Sequence, residues 1–91
     1  MFIISTNILG EIVDPTVAFG QVLRTLRRDA GLTQEQLAFA AEVERNFVSL
    51  IERGVNQPSV RTVFKLAQAL GLPASTMIRL VEEKLQGSPQ D

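Results

Sequence analysis

The chain contains neither cysteine nor histidine. Without thiols there is no disulfide framework and no thiolate metal site. Without imidazole the commonest general base and metal ligand is missing, which argues against metal-dependent and nucleophile–base enzymes. No phosphate-cradling glycine loop or nucleophile elbow is present either. The adjacent Glu82 and Glu83 would point about 100° apart on a helix, so they form no catalytic pair. Long hydrophobic runs are also lacking. The most apolar stretch, MFIISTNILGEIV at residues 1–13, contains Asn7 and Glu11 and lacks a basic start and a small-residue cleavage site. It is too short to cross a bilayer. The expectation is a cytoplasmic protein that is not an enzyme, with no cofactor, no metal, no small-molecule ligand and no membrane contact.

Charge of one sign is scarce as well. Nine basic residues face ten acidic ones, for a net charge of −1. The distribution is uneven. Residues 1–19 carry only Glu11 and Asp14, and residues 66–91 are also net acidic. Residues 20–65 hold seven basic side chains against five acidic ones, so the middle is weakly positive. Its pull on a polyanion would be modest, and specificity would have to come from directed contacts. Ninety-one residues make one domain, and 45% hydrophobic content is enough for a small core. Domains of this size are marginal, so a dimer interface would add stability.

What is present reads as an all-α, five-helix bundle with a short N-terminal strand or extended arm. Residues 1–13, rich in Ile, Val and Phe, form the arm. A lone strand needs a partner, and pairing with its own copy across a two-fold axis would supply one. The helical domain spans 14–85. Asp14-Pro15 is a strong start, an N-cap followed by proline at the first helical position. Phe19, Val22, Leu23, Leu26 and Ala30 follow at helical spacing, and Gly31 stops the helix. Thr33 and Gln36 form a capping box, so a second helix starts at Gln34 and buries Leu37, Ala38 and Ala41. A third helix over about 45–53 buries Val48 and Ile51 and closes at Gly54. After the loop GVNQPS, Ser59 caps a fourth helix that buries Val63, Leu66, Ala67 and Leu70 and ends at Gly71. The fifth helix, about 74–85, has a wide apolar set, Met77, Ile78, Leu80, Val81 and Leu85. Part of that stripe is free to face a partner. Residues 86–91, QGSPQD, have no means of burial and are expected to be a disordered tail.

Residues 31–54, GLTQEQLAFAAEVERNFVSLIERG, carry the most information. Two short helices meet at a tight turn, and the polar residues of the second are left outward. This is how a small domain reads the major groove of DNA. The stretch resembles the Cro/phage-repressor (xenobiotic-response-element type) helix-turn-helix family, and the small restriction-modification controller proteins within it. The resemblance runs from about Phe19 to Leu72, with weaker support to Leu85. It implies a cytoplasmic, nucleoid-associated transcriptional regulator that binds double-stranded DNA. The repressor would be a homodimer reading a pseudo-palindromic operator, with half-sites about one DNA turn apart.

The resemblance also assigns roles. Base-reading positions fall on Arg45, Asn46 and Leu50, flanked by Ser49 and Glu44. Arginine donates two hydrogen bonds to guanine and asparagine pairs with adenine, each worth about 1–3 kcal/mol of discrimination. Gln34 at the start of helix two suits a phosphate, as do Asn56, Ser59 and Arg61 around the next loop. Arg27 and Glu52 would form a buried salt bridge between helices one and three. Phe47 would pack near the DNA backbone or in the core. Dimer contacts are expected from Met77, Ile78, Leu80, Val81 and Leu85 of helix five, with Ile3 and Ile4 of the arm adding to them.

Three positions depart from the family pattern. Glu42 stands where glycine is common in the turn, at a cost of about 1 kcal/mol. Glu44 replaces the usual Ser or Thr cap, and Leu50 the usual polar residue. Two carboxylates at the groove edge repel phosphate unless Glu44 accepts a hydrogen bond from cytosine N4. These departures keep open a second reading, a protein-interaction module or antitoxin-like partner that retains the fold with weak DNA binding.

Overall fold

Asp14 accepts a hydrogen bond from the Thr16 amide at 2.7 Å and opens the first helix. The computed structural model describes residues 14–87. They form five helices: α1 Pro15–Asp29, α2 Gln34–Ala41, α3 Arg45–Glu52, α4 Val60–Leu70 and α5 Ala74–Leu85. Among the described residues all regular structure is helical, and they form an all-α five-helix bundle. The arm of residues 1–13, with its expected strand, and residues 88–91 of the tail lie outside the described residues.

Local chemistry sets the helix ends. Thr33 and Gln36 make both bonds of the capping box, at 3.0 and 2.9 Å. Ser59 caps α4 by accepting from the Thr62 amide at 3.1 Å. The Leu32 amide reaches back to the Arg27 carbonyl, closing α1 and turning the chain toward α2. Gln86 and Gly87, expected in the loose tail, instead finish α5. Their amides donate to the Glu82 and Lys84 carbonyls at 3.0 and 3.1 Å. Backbone partners therefore hold the first two tail residues, with no side-chain burial involved.

Every helix turns one face to a common core. Leu23 of α1, Leu37 of α2, Val48 and Ile51 of α3, Leu66 of α4 and Met77 of α5 are fully buried. Val63 and Leu70, expected inside, are half-buried at its edge, while Ala30 is exposed beyond the end of α1. α1 lies between α3 and α5, and α2 packs on α3 and α4. The contact between α1 and α3 is unusually close. A β-carbon on Gly20 would overlap the Ile51 carbonyl oxygen and sit 2.8 Å from that of Glu52. The absent side chain at Gly20 thus sets the distance between the two helices.

The α2–α3 turn confirms the strain expected of Glu42. Its φ is 60°, left-handed, and it is the single non-glycine residue with positive φ among the described residues. Its backbone amide nevertheless bonds to Phe39 O at 3.2 Å, and Val43 N bonds to Ala38 O at 3.0 Å. Glu42→Gly is expected to raise stability by about 1 kcal/mol, because the turn is kept and the steric penalty removed. Chemical denaturation of the two proteins checks this; a less stable variant would show that the Glu42 side chain contributes more than its backbone strain removes.

Candidate nucleic-acid interface

The most constrained part of the surface is the junction of α1, α2 and the end of α3. Arg27 and Glu52 are only 8% and 6% exposed. The Arg27 Nε donates to Glu52 Oε2 at 2.6 Å and Nη2 donates to Oε1 at 3.1 Å. The third nitrogen, Nη1, donates to the Leu32 carbonyl at 2.8 Å. Glu52 Oε1 also accepts from the Gln34 amide nitrogen at 3.0 Å. The hydrogen bonds it donates to Glu52 hold the Arg27 guanidinium's pKa above its already high ordinary value, against the opposing effect of burial. Among the described residues no buried side-chain polar atom is left without a partner. Both charges are therefore compensated where desolvation would otherwise be costly.

This network pins the start of α2 to the end of α3 and so fixes how α3 is presented. Val48, Ile51 and Glu52 turn inward. Glu44, Arg45 and Asn46 are exposed at the helix start, whereas Ser49, Leu50 and Phe47 are half-buried. Glu44 makes no side-chain capping bond, as expected of a poor cap. Its carboxylate is thus free at the N-terminal end of α3, beside Arg45 and Asn46.

The other sequence-assigned positions fall around this helix with different degrees of freedom. Gln34 directs its amide nitrogen onto Glu52, so its first role in the isolated chain is to brace the ion pair. Ser59 is exposed, but its hydroxyl is committed: it accepts from the Thr62 amide and donates to Thr62 Oγ1 at 3.0 Å. Asn56 is half-buried, and Arg61 is exposed in the first turn of α4. Of the four positions expected to meet phosphate, Arg61 is the one that carries a charge, and that charge is exposed and unpaired among the described residues.

Arg53 went unremarked in the sequence reading. It follows Asn46 by seven residues, two helical turns, so it continues the same outer stripe. It is exposed and makes no ion pair within the described residues. The seven-residue spacing would have revealed it.

The helix-five positions need correction. Met77 and Val81 are buried in the chain's own core, Met77 completely. The reason is that α5 spends its apolar stripe on α1 and α4. Leu80 and Leu85 are half-buried against that core, and Ile78 alone of the five is exposed. Exposed apolar surface lies elsewhere too, at Val60 and Phe64 one turn apart on α4 and at Phe39, which is 86% exposed on α2. Ile3 and Ile4 lie outside the described residues.

Two short helices in a fixed relation, with a polar exposed helix start and a buried brace behind it, define a helix-turn-helix domain. The chain belongs to the helix-turn-helix domain family, whose pattern matches residues 18–80. Among its relatives, the HTH-type transcriptional regulator y4dJ of Sinorhizobium fredii is 36% identical over 64 residues, covering 70% of this chain and 83% of that protein. Control protein C.BamHI of Bacillus amyloliquefaciens is 34% identical over 61 residues, 66% of this chain and 75% of that one. Among solved structures, the restriction-modification controller protein C.AhdI of Aeromonas hydrophila superposes with a TM-score of 0.67. The two are 42% identical, over 68% of this chain and 94% of the controller. Among the described residues no helix is long and apolar enough to cross a membrane.

Proposed function

We propose that this chain is a sequence-specific transcriptional repressor that binds double-stranded DNA as a homodimer, each copy inserting the start of α3 into the major groove. The observation that carries this reading is the exposed Arg45-Asn46 pair on a helix whose far end is locked by Arg27, Glu52 and Gln34. A helix whose position is fixed in advance loses little freedom on binding, which favours base readout over a general electrostatic grip. Glu44, unengaged beside them, fits acceptance from cytosine N4, while Arg61 and Arg53 supply cationic contacts to the backbone. Kinship with transcriptional regulators and restriction-modification control proteins supports the regulatory role. Val60 and Phe64 offer the apolar surface for a second copy. The chain acts in the cytoplasm, at the nucleoid.

Selection from random double-stranded DNA, with mass determination of the bound complex, tests the reading. The expected result is a two-fold-symmetric site occupied by two chains. No enrichment at low salt from folded protein would favour the protein-interaction module instead. On the selected site, Arg45→Ala or Asn46→Ala is expected to weaken binding by about 1–3 kcal/mol while leaving the melting curve unchanged. Wild-type affinity in both variants would show that this helix start does not read bases.

A further inference from the structure

A cleft of about 380 Å³ opens between the start of α1, the loop before α4 and α5. Its walls are Pro15, Phe19, Pro58, Val63, Ile78 and Val81, with polar Thr16 and Gln57 also lining it. Asp14 is the one charged side chain lining it, so the cleft has no attraction for an anion and its floor suits an apolar occupant. Ile78, 44% exposed, would otherwise present its side chain to water.

We propose that the cleft is the docking site for the chain's own N-terminal segment, residues 1–13. Three observations select this occupant. The segment joins the domain at Asp14, itself part of the cleft lining, so no linker has to be spanned. A tether that short gives an effective concentration in the millimolar range, which a free partner would rarely match. The segment is also chemically matched: it carries Phe2, Ile3, Ile4, Ile8, Leu9, Ile12 and Val13, with Glu11 as its one charge. Finally, a few residues before Asp14 suffice to fill the space, at roughly 3.3 Å of chain per residue. Docking would place Ile12 or Val13 over Ile78 and against Pro58. Because Gln57 and Pro58 belong to the loop between Asn56 and Ser59, the segment would also restrain the loop proposed to face phosphate. That last consequence rests on the DNA reading; the docking does not.

The absence of cysteine makes a clean test possible. A nitroxide attached to the full chain at Ser5→Cys broadens the amide signals of residues near it. In ¹⁵N-labelled, spin-labelled protein, Gln57, Val63 and Ile78 should lose most of their intensity, while Ala40 and Phe39 on α2 keep theirs. Introducing Ile78→Asp should restore the lost intensity, because the cleft then rejects an apolar segment. Identical broadening with and without Ile78→Asp would mean that the segment only passes near the domain, and the proposal fails. A mixture of unlabelled spin-bearing chains with ¹⁵N chains lacking the label separates the alternative source. Loss of intensity at the same residues in that mixture would assign the cleft to a second copy's segment and overturn docking in the same chain. None of these outcomes depends on DNA, so a failed operator search leaves the proposal standing or falling on its own.

Discussion

Glu52→Ala is expected to destabilise the domain by about 3–5 kcal/mol, the range for removing one partner of a buried ion pair. Three donors converge on this carboxylate, two from Arg27 and one from Gln34. Alanine would leave the guanidinium desolvated with its Leu32 contact alone. At about 4–8 °C of melting temperature per kcal/mol for a domain of this size, the loss should exceed roughly 12 °C. A hydrophobic double replacement, Arg27→Met with Glu52→Leu, should recover much of it, because no charge is then left buried. Thermal melts of wild type, Glu52→Ala and the double replacement measure both effects. A Glu52→Ala curve that overlays wild type would mean water reaches the pair and the brace is ornamental. Glu52→Ala also bears on DNA binding. Gln34 loses its acceptor in Glu52→Ala, so α2 and α3 lose a shared contact even where the fold survives.

How much of this was legible beforehand depended on the range over which each signal acts. Capping is local, and the roles of Asp14, Thr33, Gln36 and Ser59 followed from spacings of two or three residues. The left-handed Glu42 was readable through the family resemblance, which puts glycine at that turn position. Arg27 and Glu52, 25 residues apart, were paired only through family resemblance; no local pattern links them. Helix five shows where periodicity stops. Its apolar stripe told that Met77, Val81 and Ile78 were all on a hydrophobic side. Which of them meets the core is decided by where α1 and α4 lie, and Met77 and Val81 went inward. On α3 the same limit applies. Helical phase put Arg45, Asn46 and Ser49 outward, yet Ser49 is half-buried. The commitment of the Ser59 hydroxyl to Thr62 was hidden for a different reason. A cap and a phosphate contact use the same atom, and the sequence names the residue without naming the bond.

Gly20→Ala carries the other large expected effect, and its sign has to be argued because two terms oppose each other. Glycine inside a helix costs about 1 kcal/mol relative to alanine, so on propensity alone the substitution should stabilise. The added methyl, however, would overlap the Ile51 carbonyl and crowd that of Glu52. Both are backbone atoms in the last turn of α3, so no side-chain rotation can clear them. The helices would have to separate, and overpacking of this kind typically costs about 1–3 kcal/mol or more. The overlap is severe enough that the steric term should win, and Gly20→Ala should melt below wild type. A variant that melts at or above wild type would show that α1 and α3 slide apart freely. The two large effects should also fail to add. Separation of α1 from α3 loosens the Arg27–Glu52 pair itself, since one partner sits on each helix. In a double variant with Glu52→Ala, the Gly20→Ala penalty should therefore shrink, because the ion pair it would have strained is already gone. Full additivity would place the cost in carbonyl crowding alone and leave the geometry of the buried pair independent of the helix spacing.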